Sequence, residues 1–138
     1  MAIKTEKFNV TTRGFTDILD ITNKVQDIAL SFNVKEANVF VYVTGSTASI
    51  TMLEYEPGLI RDLPEILEKI APVDKEYFHN KKWNDGNGYA HIRAAIVGNS
   101  VSVPLIDSRL VLGTWQQIVL LDFDNKARTR TITVQIVY

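Results

Sequence analysis

Two histidines, the only ones in the chain, flank one polar loop. His79 and His91 stand on either side of a segment rich in Gly and Asn, so folding of this loop can bring both rings to one site. Imidazole titrates near neutrality and binds divalent metals, so the pair suits general acid–base chemistry or an ion such as Mg²⁺ or Zn²⁺. The alternative is that both rings bond nearby backbone. The spacing differs from the compact helical metal signature HExxH.

A carboxylate and a run of hydroxyls lie close to a predicted pair of strands. Glu54 follows the second of these strands and could act as a base or complete a metal site; otherwise it is a solvated loop acid. Ser46 and Thr47 belong to the run Gly45–Ser49, whose hydroxyls and amides could hold a phosphate. The run lacks the GK[ST] ending of a P-loop, and the alternative is a polar strand face.

Two arginines and a tryptophan are further candidates. Arg93 lies two residues after His91, and Arg109 lies in a predicted tight turn beside Asp107. Each guanidinium could bind a phosphate through its fork of donors, or pair with a nearby acid. Trp115 lies between two predicted strands, where it could stack on a ring or fill a core position.

Composition narrows the class of protein. The 138 residues, 46% hydrophobic and 22% charged, predict one globular domain over residues 1–138. Lys and Arg number 15 against 16 Asp and Glu, so the net charge of −1 offers no basic field for nucleic acid. The absence of cysteine excludes a thiolate nucleophile and fits a reducing compartment. We see no apolar run of signal-peptide or membrane-spanning kind, so we expect a cytoplasmic protein without a membrane partner.

Hydrophobic periodicity places these candidates on helices, strands and loops. Helical spacing predicts helices over 17–32, from Pro57 to before Pro72, and over 90–97, with a long loop over 76–89. Alternating or β-branched runs predict strands at 3–12, 37–44, 48–53, 100–105, 109–112, 116–123 and 129–137. Residues 124–127 read as the turn of a hairpin between the last two strands. Because strands are grouped at the end, the order predicts an α+β fold with largely antiparallel sheets.

Several of these segments together resemble a known family. The motifs, in order, are GSTASIT followed by Glu54, YFHN, YAHIRAAIVG, LGTWQ and a final R-T-R. The sequence resembles the YjbQ-like family, also described as secondary thiamine-phosphate synthases, over about residues 1 to 138. The segments 89–98 and 112–116 are the most specific parts of the match.

The resemblance implies a fold, an assembly and an activity. The implied fold is a mostly antiparallel β-sandwich with two main helices and one short helix packed outside. The implied assembly is a homotrimer. The implied activity is a weak condensation of a pyrimidine pyrophosphate with a thiazole phosphate, so the expected ligand is a small phosphorylated molecule.

The resemblance also implies roles for individual residues. It makes His91, His79 and Glu54 the expected catalytic residues, with the two histidines as expected ligands of a divalent metal. The expected substrate-binding residues are Thr114, Trp115 and Gln116 from the motif match, joined by Ser46, Thr47, Arg93 and Arg109, whose residue types suit phosphate. Gly113 matches the same motif, and Arg128 or Arg130 matches a basic position near the end of the chain.

One departure from the family pattern favours a second hypothesis. Many members have a histidine where this chain has Gly45. A three-histidine metal site would therefore lack one ligand here, leaving Glu54 or a water to replace it. The alternative function is a non-catalytic trimer that binds a small anionic ligand or a metal. Catalysis predicts dependence on His91 and a divalent ion, whereas simple binding predicts stabilisation by a ligand without product.

Overall fold

Eight strands and four helices make up the computed structural model, which describes residues 1–138. The strands are β1 (Ile3–Thr12), β2 (Asp17–Asp20), β3 (Ala37–Val43), β4 (Ala48–Leu53), β5 (Ser100–Ile106), β6 (Arg109–Leu110), β7 (Gln117–Asp122) and β8 (Arg128–Val137). The helices are α1 (Thr22–Ser31), α2 (Pro57–Ile70), α3 (Phe78–Trp83) and α4 (Gly88–Val97). No helix is both long and apolar enough to cross a bilayer.

All strand pairs are antiparallel and they form two sheets. The larger sheet has the order β1-β8-β3-β5-β6, and the smaller has the order β2-β7-β4. Alternation along β8 turns Ile132, Val134 and Ile136 into the core, because successive side chains of a strand point to opposite faces. These residues belong to a cluster of 17 buried side chains shared by the two sheets and α1. The predicted α+β fold with antiparallel sheets is confirmed.

A second core covers the outer face of the smaller sheet. Val119, Leu121 and Phe123 are fully buried there, against Leu67 of α2 and Tyr89 of α4. Burial of each such side chain stabilises the fold by roughly 1.5–3 kcal/mol. This second core fixes α4, which carries His91, on the sheet that contains β4 and β7.

The helix predicted over 17–32 is wrong at its beginning. Residues Asp17–Asp20 form β2, which pairs with β7, and the helix starts only at Thr22. The carboxylate of Asp20 accepts hydrogen bonds from the backbone N–H and the hydroxyl of Thr22, which stabilises the strand–helix junction. Ile18, which falls within the predicted helix, is instead a strand residue buried against β7.

The loop predicted over 76–89 contains a further helix. Residues Phe78–Trp83 form α3, which ends where Asn84 adopts the left-handed conformation. Asn is one of the few residues other than Gly that adopt this conformation readily. The fold therefore has four helices, one more than predicted, and His79 lies on a helix.

The predicted hairpin of the last two strands is wrong. β7 pairs with β2 and β4, whereas β8 pairs with β1 and β3, so the chain passes from one sheet to the other between Asp122 and Arg128. The chain passes between the sheets again around Gly14, whose φ is +76°. A Cβ on Gly14 would collide with the backbone carbonyl of Lys126, so the two crossings pack against each other directly.

Candidate functional site

The two histidine rings are in contact, with their planes tilted relative to each other. Their centroids are 4.3 Å apart and the ring planes make an angle of 52°. His79 is the second residue of α3, and His91 is the fourth residue of α4. Gly88 allows this approach, because a Cβ there would lie 2.6 Å from Cβ of Tyr77. The structure thus brings together the two rings that the sequence places at opposite ends of one segment.

Hydrogen bonds determine which nitrogen of His79 carries its proton. Nε2 of His79 lies 3.0 Å from Oδ1 of Asn87 and 3.3 Å from Oδ1 of Asp85. Both oxygens can only accept, so Nε2 donates, and neutral His79 keeps the lone pair of Nδ1 free. The other side of the Asn87 amide confirms its orientation, because Nδ2 donates to the Asp124 carboxylate at 3.3 Å.

Asp124 is the charged end of this chain of hydrogen bonds. Burial alone would raise the pKa of its carboxyl, but several hydrogen bonds outweigh burial and lower the pKa below the ordinary value of 3.8. The donors are the backbone N–H of Asn125, the amide of Asn87, the guanidinium of Arg128 and the hydroxyl of Thr47. The carboxylate is therefore ionised at neutral pH and holds Asn87 against His79.

His91 is held as a neutral base. Burial lowers its pKa below the ordinary value of 6.5, and the neighbouring His79 lowers it further, while Asp85 and Asp124 act in the opposite direction. At pH 7 the ring of His91 therefore offers one N–H donor and one basic nitrogen. A neutral imidazole with this pair of functions can bind a phosphate oxygen or move a proton.

His91 opens onto a cleft of about 420 Å³. One wall is a face of α4 with small side chains, where Ala94 and Ala95 follow His91 at helical spacing. The opposite wall is the turn between β3 and β4, with Gly45 and Ser46. Because small residues line both walls, there is room for a ligand of the size of a small phosphorylated molecule.

The remaining motif residues lie around a second cleft. Glu54, Thr114, Trp115 and Gln116 line a space of about 390 Å³ beside the end of β4. No residue is common to the linings of the two clefts. Within one chain, the residues predicted to form one site are therefore divided between two places.

Two of the predicted phosphate-binding residues have other partners. Thr47 is buried, and its hydroxyl bonds Asp124 and Arg130. Arg93 is buried, and its guanidinium donates to Glu68, Thr16 and the carbonyl of Ala71. The hydrogen bonds of Arg93 connect α4 to the C-terminal end of α2.

Arg109 lines neither of these two clefts. It lines a separate hollow with Gln26, Leu30 and Leu110, beside α1 and β6. Of the residues predicted to bind a phosphate, Ser46 is the one that lines the His91 cleft.

The chain matches a family over almost its whole length. A family model described as "UPF0047 protein YjbQ-like" matches residues 6–138. A UPF0047 protein of Archaeoglobus fulgidus is 40% identical over 119 residues, which are 86% of this chain and 90% of the relative. This chain belongs to the YjbQ-like family.

Solved structures similar to this YjbQ-like chain share its architecture. A hypothetical protein of Aeropyrum pernix K1 has a TM-score of 0.90 at 31% identity, covering 97% of this chain and 98% of that chain. A YbjQ-like protein of unknown function from Sulfolobus solfataricus P2 has a TM-score of 0.88 at 29% identity, covering 98% of each chain. The two-sheet architecture with its outer helices is therefore that of the YjbQ-like fold.

The side chains of this YjbQ-like chain do not by themselves form a metal site. No group of three or more His, Asp or Glu side chains is arranged to hold an ion. His79 and His91 supply two imidazoles, and Nε2 of His79 is already engaged by Asn87. Glu54, the expected third ligand, lines the other cleft. The donor set of this chain therefore does not fit the metal that the resemblance implies.

Sequence reasoning missed four residues of this YjbQ-like site. Asn87 and Asp85 position His79, while Asp122 and Asp124 are buried beneath the turn between β3 and β4 with Arg128 and Arg130. One signal was present: Arg130 alternates in phase with Ile132, Val134 and Ile136, which places a guanidinium on the buried face of β8. A buried arginine requires a carboxylate partner.

Proposed function

We propose that this protein binds a small phosphorylated molecule in the His91 cleft and carries a weak thiamine-phosphate synthase activity. The observation that supports it is the contacting histidine pair beside that cleft, with His91 neutral and His79 fixed by Asn87. The reaction itself is suggested by the family resemblance. The geometry suits it because this chemistry requires positioning and charge neutralisation more than a covalent catalyst.

The proposed reaction is a substitution at carbon. The thiazole ring nitrogen attacks the methylene carbon of the pyrimidine pyrophosphate, a C–N bond forms, and the C–O bond to pyrophosphate breaks. The leaving group carries away the electron pair as pyrophosphate. In this proposal the N–H of His91 donates to a phosphate oxygen, and the hydroxyl of Ser46 donates from the opposite wall.

The proposed assembly is a homotrimer, as the resemblance implies. Large apolar side chains at the surface support an association of chains. Trp115 is 70% exposed, and Ile92 and Ile96 of α4 are about half exposed. Exposed apolar groups of this kind are typical of protein–protein contacts. In such an assembly the cleft around Glu54 and Trp115 would face a neighbouring chain.

A second candidate function is binding without turnover. The observation that favours it is that no carboxylate is among the residues that line the His91 cleft. Enzymes that act on phosphate esters hold the accompanying Mg²⁺ through one or two carboxylates together with the phosphates of the substrate. This candidate shares the cleft and the anionic ligand with the first, and it differs only in forming no product.

Formation of thiamine phosphate from the two phosphorylated precursors tests the proposal. The wild type, His91→Ala and the surface control Glu65→Ala are purified in parallel and assayed with Mg²⁺. We expect product from the wild type and the control and none from His91→Ala. Equal traces in all three preparations would indicate a contaminating synthase and refute the proposal. No product from any of them, where an authentic synthase succeeds, would leave binding without turnover as the function.

A further inference from the structure

Arg130 has one guanidinium nitrogen that no group of the protein uses. Its side chain is 8% exposed and forms two hydrogen bonds with Asp122, from Nε at 2.7 Å and from Nη2 at 2.8 Å. Nη2 also donates to the hydroxyl of Thr47 at 2.6 Å. Nη1 donates to none of these groups. Nη1 is not among the fully buried atoms that lack a partner, so solvent reaches this nitrogen and an acceptor from outside the chain can bind it.

Gly45 lies between Nη1 of Arg130 and the cleft, whose lining includes Gly45 but not Arg130 itself. Where a side chain at this position would place its Cβ, the only atoms within 4 Å are Nη1 of Arg130 at 2.7 Å and Cζ at 3.7 Å. The φ of Gly45 is +132°, a conformation that other residues rarely adopt. Gly45 also lines the cleft. The absence of a side chain therefore leaves Nη1 next to the space that His91 and Ser46 border.

The charges beneath the cleft are already balanced within the protein. Asp122 pairs with Arg130, and Asp124 pairs with Arg128 at 2.8 Å. Nη2 of Arg130 lies a further 3.8 Å from Asp124. The two carboxylates are thus matched by two guanidinium groups. Asp122 contacts Nε and Nη2 of Arg130, so an anion bound at Nη1 would lie on the side of the guanidinium away from Asp122.

We infer that Nη1 of Arg130 is the anchoring donor of an oxyanion subsite at Gly45, and that this subsite takes the phosphate or diphosphate group of a small molecule. The inference deepens the proposed function, since it names the atom that holds the phosphate end of the ligand. Its test requires no turnover.

The donors around the subsite favour phosphate over carboxylate. Nη1 lies below the turn, the Ser46 hydroxyl lies on one wall, and the His91 ring lies on the other. A tetrahedral phosphate presents oxygens in several directions and can accept from all three sides, whereas a carboxylate presents two oxygens in one plane. The volume of about 420 Å³ also leaves room for the organic part of the ligand.

A charge change on the wall of the cleft tests the subsite without disturbing the buried network. Ala95 lies on the exposed face of α4 that lines the cleft. Ala95→Glu adds a negative charge there, and Ala95→Gln is the neutral control of the same size. Pyrophosphate, orthophosphate and acetate are titrated into the full-length protein by calorimetry. We expect pyrophosphate to bind the wild type and Ala95→Gln with similar affinity, and to bind Ala95→Glu about tenfold more weakly. We expect no measurable binding of acetate to any of the three proteins.

Two further measurements assign the anchoring atom. The Nε–H resonance of Arg130 is expected to move on saturation with pyrophosphate, while that of Arg61 on the surface of α2 stays in place. In Arg130→Lys the single ammonium is expected to remain with Asp122, so pyrophosphate binding falls at least about tenfold in protein shown to be folded by circular dichroism. If this variant does not fold, the Ala95 pair and the resonance still decide the question.

The outcomes separate this inference from the proposed function. No pyrophosphate binding by the wild type, equal affinity of the two Ala95 variants, stronger binding of acetate, or an unmoved Arg130 resonance would each overturn the subsite. Pyrophosphate binding with the expected charge dependence but no thiamine phosphate would uphold the subsite and refute the enzyme. Turnover that is equal in the two Ala95 variants, with an unmoved Arg130 resonance, would uphold the enzyme and refute the subsite.

Discussion

The side-chain amide of Asn87 joins His79 to Asp124. Oδ1 of Asn87 lies 3.0 Å from Nε2 of His79, and Nδ2 of Asn87 lies 3.3 Å from Oδ1 of Asp124. An ionised carboxylate at one end therefore determines the orientation of the amide, and the amide determines the tautomer of the imidazole. The ring held in this way is the one that contacts the ring of His91.

This relationship predicts the protonation pattern of His79. In long-range ¹H–¹⁵N spectra above the titration range, His79 of the wild type should carry its proton on Nε2. Asn87→Ala should increase the fraction with the proton on Nδ1, because only Asp85 then remains as an acceptor. His91 in the same spectra serves as the internal reference. A wild-type His79 protonated mainly on Nδ1 would contradict the assignment.

The lowered pKa of His91 predicts a pH dependence of stability. Between pH 6.5 and the lower pKa of the folded state, the unfolded chain binds a proton that the folded chain does not. The free energy of unfolding should therefore fall as the pH drops below about 6.5. Urea unfolding of the wild type and of His91→Gln between about pH 7 and about pH 5 measures this, and the variant should lose less stability over that range. Equal losses would show that His91 is not held neutral by the fold.

Arg93 should matter for stability far more than its partner Glu68. Arg93 is buried and donates to the carbonyl of Ala71 and to Thr16, whereas the side chain of Glu68 is half exposed. We expect Arg93→Met to lower the free energy of unfolding by about 3 kcal/mol, because buried acceptors lose their donors. Glu68→Gln should cost at most about 1 kcal/mol, as for a pair open to solvent. Chemical unfolding compares the two, and equal small effects would argue against a structural role for Arg93.

Substitution of two exposed tryptophans can identify the interface of the proposed homotrimer. Trp115 is 70% exposed beside Glu54, and Trp83 is 64% exposed on α3. Native mass spectrometry of the wild type should give about three times the chain mass of 15.6 kDa. Trp115→Ser should shift the population towards monomer, because the apolar surface of the contact is lost. Trp83→Ser should leave the trimer intact. A monomeric wild type, or dissociation by Trp83→Ser alone, would contradict this arrangement.

Local patterns predicted most of the regular elements. The strand over 48–53 occupies the same residues in the structure, because β-branched and apolar side chains there suit a pleated strand. The first strand, 3–12, also agrees. The segment 17–20 does not, since Ile18 and Ile21 fit helical spacing equally well. Its strand conformation depends on pairing with β7, which is about a hundred residues away in the chain.

The last two strands show what local signals leave open. Turn residues between two apolar runs predict a hairpin, and residues 124–127 carry such a signal. In the structure β7 and β8 belong to different sheets, and Asp122 and Asp124, which are buried where the chain crosses, pair with Arg130 and Arg128. Compensation of buried charge is a property of the assembled fold, and no window of sequence displays it.

The sequence by itself determined the family and the α+β class, and it placed the two histidines on either side of one segment. It did so because periodicity, residue type and motif order are local properties. The tertiary structure alone decided that Glu54 and Trp115 lie around a different cleft, and that Arg93 fastens two helices. It alone placed Nη1 of Arg130 beside Gly45. These are contacts between residues distant in the chain, and they form only when both sheets and their covering helices have packed.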